Sequence, residues 1–501
     1  MLYNYENIFK KGAYIFFILF FIFGCFVFSD YGISIDERVS RIQNGEINYN
    51  YIKTGNSNEL LSTREKYHGP AYEFFLYAAE KFFNITESRD VYLLRHGLTF
   101  LTFFISVLFF YKLNLKVFKS NVAGLFGCIM LVISPRIFAE SFYNSKDLVM
   151  LCFCIMASYT MFLFVEKQTI LMALIHAALC GFVIDIRMMG LLLPLLTIFM
   201  YVFQKKKKAI PLLLFVCYTV VFVFAFWPIL WIDPLTHFVK AFKEMSNYQG
   251  GTLLYMGNIV STLELPWHYL PVWISITTPI CYTLFFFIGI FFLIKNSFVN
   301  IMSTLWIQSF LFMFAAPILA VIVLNSTVYD SWRHVYFVYP YFLIIAVYGS
   351  VQLIHFVKKN NTVFLISSLT AVSIALVLIF MVNNHPFQNS YFNSFAGKAI
   401  RQKFELDYWG LSYKQGLEYI LANDKSEQIY IEADPVYEYC QLNALILKEE
   451  DKKRIVFTFD RDSADYFLSN FRWHPHDYNF GTSVHQIKVG DEKIMEVLKL
   501  K

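Results

Sequence analysis

Charge is what this 501-residue chain has least of. Asp, Glu, Lys and Arg make up 16% of it, whereas 57% is hydrophobic and 19% aromatic, with 56 Phe. A soluble fold of this length has no interior able to hide that much apolar surface. Cysteine is scarce outside the apolar runs: of eight Cys, only Cys440 lies beyond them. That excludes a disulfide framework in the polar tail, and no Cys spacing of the metal-site type occurs. Internal repeats and low-complexity tracts are also missing. The net charge of +5 follows from basic loops and implies no nucleic-acid partner.

What is present is a series of apolar runs of roughly 17–25 residues, the length that spans hydrocarbon as a helix. The expectation is a mostly α, polytopic membrane protein with about eleven spans. Their approximate limits are 13–29, 91–111, 122–140, 148–165, 169–184, 188–203, 209–228, 272–294, 301–323, 335–354 and 362–383. With eleven spans, the basic groups Lys10, Lys11, Lys112, Lys116, Lys119, Lys205 to Lys208, Lys358 and Lys359 fall on one side. The positive-inside bias makes that side cytoplasmic. The N-terminus is then inside and the C-terminus outside, in a bacterial cytoplasmic (inner) membrane.

Residues 1–383 are read as the membrane domain, with outer loops over 30–90 and 230–271. The first loop contains KYHGPAYEFFLYAAEKFFN, in which Tyr72, Phe75, Leu76 and Ala79 recur at helical spacing with Glu73 and Glu80 opposite. This predicts an amphipathic helix in the membrane interface. Residues 384–501 are read as a small α/β domain outside the membrane. SYKQGLEYILAND predicts a helix, EQIYIEA and KKRIVFTF strands, SADYFLSNF a strand or short helix, and HQIKVGDEKIMEVLKL a strand, turn and strand.

Ionisable groups in membrane helices are costly and mark function, and here they avoid mid-depth. Only His176 lies there, which argues against an ion-coupled transporter with carboxylates at broken helices. Asp36 and Glu37 stand side by side just after the first span, and Arg95, Arg136, Lys146, Arg187 and Arg333 sit at outer ends against the positive-inside bias. Such cations suit an anionic phosphate on a lipid carrier, although ion pairs such as Arg187 with Asp185 or Arg333 with Asp330 would also explain them. A carboxylate beside a phosphate site suits glycosyl transfer from a polyprenyl-phosphate sugar. A base takes the acceptor hydroxyl proton, and the phosphate leaves as a stable anion steadied by cations. That chemistry needs no cofactor, and a divalent metal is left open. His474, His476 and Asp477 of RWHPHDY offer a weak metal pattern that is not adopted. The competing readings are a transporter or flippase of lipid-linked sugars, or a polysaccharide polymerase or O-antigen ligase. Asp36 and Glu37 would alternatively cap the helical stretch DERVSRIQNGE.

The order of an apolar first helix, an early Asp-Glu, a His-Gly-Pro and an amphipathic helix resembles the membrane glycosyltransferases of the C-type fold. Those include the protein O-mannosyltransferase group and the bacterial lipid A aminoarabinose transferases. SPRIFAESFYNSKDLVML, LPWHYLPVWISITTP and HPFQNSYFNSF with DYWGLSYKQGLEYI add to the likeness, which runs from about Ala13 to Ile420. The resemblance implies an inverting transfer from a polyprenyl-phosphate sugar to a glycan, lipid or protein acceptor. It places Asp36 as base, Glu37 as support and Asp147 as the second acidic residue. It lets the donor-phosphate contacts fall on Arg136, Lys146, Arg187 or Arg333, and the charge pattern adds Arg95 to these candidates. His68, Trp267 and His334 are the candidate sugar or acceptor contacts.

Overall fold

The computed structural model describes residues 2–246, 250–357 and 359–501; Lys358, one of the basic residues counted above, lies outside them. The chain is a multi-pass membrane protein. Among the described residues, eight helices are long and apolar enough to cross a membrane. In chain order, α1 is Leu2–Val27, followed by the short α2, Ile35–Ser40, and α3, Ala71–Phe82. The body continues with α4 (Ser88–Phe118), α5 (Asn121–Val132), α6 (Pro135–Tyr143), α7 (Asp147–Lys167) and α8 (Ile170–Ile186). Next come α9 (Leu192–Val202), α10 (Ala209–Phe226), α11 (Ile280–Val299) and α12 (Leu305–Val323). A 3-10 turn over Arg333–Val338 leads into α13 (Tyr339–Val357), and α14 is Asn360–Asn383.

The eleven expected spans resolve into these eight, one bent pair and two shorter apolar helices. The third, expected unbroken over 122–140, is the bent pair: α5 and α6 meet at 69°. Pro135 causes the break, because a proline disfavours helical backbone at the residue before it, and Ser134 is extended. The same physics moves the start of the eighth span from 272 to Ile280: Thr278 is extended before Pro279. The fifth and sixth are the shorter helices Ile170–Ile186 and Met188–Val202.

Burial sorts the helices. The most apolar windows of α7 and of Arg333–Val357 are each 78% buried, against 6% for α14. Two central helices thus carry the core, and α14 presents its apolar surface outward, as a lipid-facing helix does. Gly289 of α11 lies against Gly349 of α13, where a side chain on Gly349 would meet the Phe285 carbonyl at 2.1 Å. Small residues at such crossings let helix backbones approach closely.

The amphipathic helix α3 forms, but the fold covers both faces, with Tyr72 and Leu76 of the apolar face buried in the core. Glu73 and Glu80 are buried and Phe75 is exposed. The acidic face meets buried Arg95 rather than water. Helical spacing identifies two faces but not whether the fold covers both.

Beyond α14 the tail builds a second core. An antiparallel hairpin, β1 (Thr252–Tyr255) and β2 (Asn258–Ser261), precedes it in the chain. The tail holds β3 (Ile429–Asp434), β4 (Ile455–Phe457), β5 (Tyr466–Ser469), β6 (Thr482–Val489) and β7 (Glu492–Lys499) in the order β4-β3-β5-β7-β6. SADYFLSNF, open between strand and helix in sequence, contributes β5. The first pairings are parallel and the β5-β7 and β6-β7 pairings antiparallel. Tyr413, Leu417 and Ile420 of α15 (Ser412–Asn423) share a core with Ile431, Leu468, Met495 and Val497. A further helix, α16 (Tyr437–Ala444), has a mixed pattern that gave no helix in sequence.

The His-Gly-Pro segment locks α3 to α8. The Ala71 amide donates to Asp185 Oδ2 at 2.9 Å, and a side chain on Gly69 would lie 1.7 Å from the Asp185 carbonyl oxygen. Gly69→Ala is therefore expected to force this junction apart and destabilise the fold by roughly 1–3 kcal/mol or more. Thermal unfolding of the purified protein measures it, and an unchanged transition would show that the contact yields freely.

Candidate active site at the mouth of the first helix

The Asp-Glu pair divides its work. Ser34 is extended and precedes α2. Glu37 reaches back to it: Glu37 Oε2 accepts from the Ser34 amide at 2.7 Å and from Ser34 Oγ at 3.1 Å. The other oxygen, Oε1, lies 3.1 Å from His96 Nε2. Glu37 is thus a buried helix-start residue with both oxygens engaged, as a capping carboxylate is. Its neighbour Asp36 points elsewhere, with a side chain 43% exposed and Oδ2 accepting from Arg333 Nη1 at 2.9 Å.

Arg333 gathers the site. Its Nη1 also donates to Asp147 Oδ2 at 3.0 Å, and its Nη2 donates to Asp330 Oδ2 at 3.2 Å. The guanidinium lies against the rings of Trp409 and Tyr329, at 4.6 and 4.9 Å from their centroids. Asp147 is the first residue of α7, where a helix start favours a carboxylate. It also accepts from Arg187 Nε at 3.0 Å and from Arg187 Nη2. Asn144 Oδ1 fixes the turn by accepting from the Asp147 amide at 2.8 Å, while its Nδ2 donates to buried Glu140. Glu140 in turn accepts from the Tyr336 and Tyr408 hydroxyls at 2.7 and 3.0 Å. Arg187 pairs with Asp147 and not with Asp185, while Arg333 pairs with Asp330 and with two further carboxylates.

Lys146 precedes Asp147. Among the described residues no carboxylate lies within ion-pair distance of its ammonium. Burial and the Arg187 charge hold its pKa below the ordinary lysine value, against the pull of Glu65, Asp147 and Asp36. His68 stands 2.5 Å from Glu65. Burial and the Lys146 charge keep the His68 imidazole below its ordinary value. Burial would raise Glu65, but the His68 hydrogen bond and the Lys146 and Arg64 charges bring it to about 2. A neutral ring donating Nδ1–H to an ionised Glu65 satisfies both. His334 follows Arg333, with its ring 4.5 Å from Tyr329 and its buried Nδ1 unpartnered.

The structure therefore brings together Asp36, Lys146, Asp147, Arg187, Arg333, His334 and His68. It does not bring in three others. Arg95 is consumed by Glu73 and by Glu80, the latter at 3.1 Å, and is fully buried. Arg136 is enclosed by Trp273 and Phe392, with its Nε donating to the Tyr391 carbonyl at 3.2 Å. Trp267 is 70% exposed and its ring neighbour is His268. In RWHPHDY, His474 stacks on Tyr478, and Asp477 is taken by Arg401 and Lys493. The member of that motif that reaches the site is Arg472, whose Nη2 donates to Asp330 Oδ1 at 2.7 Å. That contact joins positions 142 apart in sequence, and no local pattern announces it.

Residues 68–232 match the family model described as dolichyl-phosphate-mannose-protein mannosyltransferase. The matched stretch contains His68, Lys146, Asp147 and Arg187, while Asp36 and Arg333 fall on either side of it. No curated protein sequence matches the chain. Among solved structures, ArnT from Cupriavidus metallidurans bound to undecaprenyl phosphate aligns over 97% of this chain and 98% of its own, with 11% identity and a TM-score of 0.50. The fold is that of the C-type membrane glycosyltransferases. Archaeal oligosaccharyltransferase AglB from Archaeoglobus fulgidus, in complex with an inhibitory peptide and a dolichol-phosphate, aligns over 88% of this chain and 66% of its own, with 10% identity and a TM-score of 0.48.

The pairing of Arg95 gives a test of its exclusion. Arg95→Gln leaves Glu73 and part of Glu80 buried without a counter-charge, which costs about 3–5 kcal/mol. The variant is expected to unfold earlier on heating, because the loss falls on the packing of α3 against α4. An unchanged unfolding transition would show that Arg95 is not spent on this pairing.

Proposed function

We propose that the chain is a membrane glycosyltransferase that moves a sugar from a polyprenyl-phosphate donor to an acceptor hydroxyl with inversion. The reading places the reaction on the extracytoplasmic face of a bacterial inner membrane, with the tail domain on that side. The observation that carries it is a division within one charged cluster. Of Asp36, Asp147 and Asp330, only Asp36 is accessible, at 43% against 1% and 5%, and beside them Lys146 has no ion-pair partner among the described residues. An accessible carboxylate next to an uncommitted cation is what a base and a leaving phosphate require.

In this mechanism Asp36 Oδ removes the acceptor hydroxyl proton as the acceptor oxygen bonds to the anomeric carbon. The bond from that carbon to the phosphate oxygen breaks on the opposite side, and its electron pair stays on the phosphate. Lys146, Arg187 and Arg333 offset the charge that grows there. Asp147 holds the two guanidiniums in place, and His68 and His334 stand where a sugar or acceptor hydroxyl can be bonded. The step balances without a cofactor. Arg333 Nη1 is shared between Asp36 and Asp147, so a phosphate drawing on Arg333 loosens its hold on Asp36. The base is thereby released for the acceptor only when donor is bound. The acceptor class stays open among glycan, lipid and protein.

Asp36→Asn keeps size and hydrogen bonding but removes proton affinity. Turnover should fall by about 10²–10⁴ with donor binding retained, whereas Glu37→Gln should chiefly lower stability. Turnover at wild-type level in Asp36→Asn, measured per folded molecule with labelled polyprenyl-phosphate sugar, would remove the mechanism. Transfer requiring a nucleotide sugar directly would remove the donor assignment.

The lowered pKa of Lys146 sets a pH limit. Its charge is lost, as pH rises, earlier than that of an ordinary lysine, and donor capture should decline with it. kcat/KM for the donor reports groups of the free enzyme. It should fall on the alkaline side below the ordinary lysine range, and Lys146→Arg should carry the fall to higher pH. An alkaline limb that stays in place in Lys146→Arg would assign it to another group.

A further inference from the structure

Arg472 belongs to the C-terminal domain, between β5 and β6, yet its guanidinium is buried at the membrane-domain site. Its Nη1 donates to the Tyr439 hydroxyl at 2.6 Å and to the Tyr408 carbonyl, and its Nη2 donates to Asp330. The planar group stacks on Trp473 at 4.7 Å. Phe471 and Trp473, on either side of it, both have φ of 59°. At the other end of the ion pair, Asp330 and Ser331 have φ of 53° and 70°. Left-handed backbone at non-glycine residues persists only where surrounding contacts hold it, so both partners are presented by constrained turns.

Asp330 is therefore divided. Its Oδ1 faces Arg472 at 2.7 Å and its Oδ2 faces Arg333 at 3.2 Å. A carboxylate shared by two guanidiniums pulls less on each. Without Arg472, a buried oxygen of Asp330 loses its partner, and the carboxylate turns its full charge on Arg333, in competition with any incoming anion. We propose that Arg472 is a positioning residue: through Asp330 it sets how much of Arg333 is available to a phosphate, so that the C-terminal domain completes the site. This rests on the reading of Arg333 as a phosphate partner.

A plainer role for Arg472 is to fasten the two domains together, and a second clasp separates the roles. Lys414 Nζ of α15 donates to the Ser29 and Asp30 carbonyls at the end of α1, at 2.6 and 3.0 Å. Full-length protein in detergent is titrated with polyprenyl phosphate and melted, for Arg472→Gln, Arg472→Lys, Arg333→Gln, Lys414→Gln and the double variant Arg472→Gln/Arg333→Gln. Arg472→Gln should bind about tenfold more weakly, the size of coupling between charged neighbours in one network. Arg472→Lys, which restores the charge, should recover part of that loss. Lys414→Gln should melt earlier and bind as the wild type does. The double variant should melt lower than the two single losses added together, because Asp330 then keeps neither of the cations that share it. Wild-type binding by folded Arg472→Gln, or melting losses that simply add, would overturn the inference. A wild-type protein that fails to bind polyprenyl phosphate would sink the proposed function instead, and the melting cycle would then decide the positioning role alone.

Discussion

A guanidinium buried among three carboxylates is the constraint around which this protein is organised. Arg333 is 2% exposed and meets Asp36, Asp147 and Asp330. Removing such charges from water is costly, and only close pairing and satisfied hydrogen bonds offset it. Each partner arrives on a different element: Asp36 on α2, Asp147 at the start of α7, and Asp330 on the turn before Arg333 itself. The helices that carry the core are therefore also those whose starts must coincide at one point. Any shift in how α7 and α13 cross would separate Asp147 from Arg333 and leave each of them buried with one partner fewer.

The surrounding parts follow from that requirement. The 69° break at Pro135 turns α6 away from the line of α5 and brings Glu140 and Asn144 beneath the Asp147 turn. Glu140 then ties Tyr336 of the Arg333 turn to Tyr408 of the segment leading into the tail domain. The tail closes the arrangement from above through Arg472, and Asn443 of α16 brackets Ile33 just ahead of Asp36, accepting from its amide at 2.9 Å and donating to its carbonyl at 3.1 Å. The helices that face lipid carry no part of this network, which explains how α14 can be nearly uniform in apolar character.

The parts of this architecture set by local pattern were readable in the sequence. Strands β3, β4, β6 and β7 and helix α15 sit where alternation and helical spacing put them. The breaks at Pro135 and Pro279 carry a local signal too, although a hydropathy reading runs across both. The candidate site was legible as a neighbourhood but not as a set of partners. Asp36 and Glu37 are adjacent, about 100° apart around a helix, and which of them turns inward depends on His96 and Arg333, far away in the chain. Arg95 and Arg333 look alike in sequence, both arginines near the end of an apolar run. What separates them is that α3 turns Glu73 and Glu80 inward onto Arg95, and an amphipathic pattern does not say which face water will see. Arg472 lies inside a motif whose histidines carry the stronger local signal, and its link to the site is to a partner 142 positions away.

The five candidate cations also differ in what they have left to give. Arg95 spends its charge on two carboxylates, and Arg136 is closed in by aromatic rings. Arg187 and Arg333 share Asp147 and are held in fixed orientation by it, yet a guanidinium has five N–H groups and Arg333 Nε has no partner. Among the described residues, Lys146 forms an ion pair with no carboxylate. An anion entering here meets two arginines already oriented by acidic residues and one lysine whose charge is uncommitted. Oriented cations need no rearrangement as charge develops on a leaving group, which is where electrostatic catalysis gains most. The carboxylates that pair with them are, on this view, what keeps the arginines aimed before any substrate arrives, and in the proposed mechanism Asp36 is the one among them that also takes a proton.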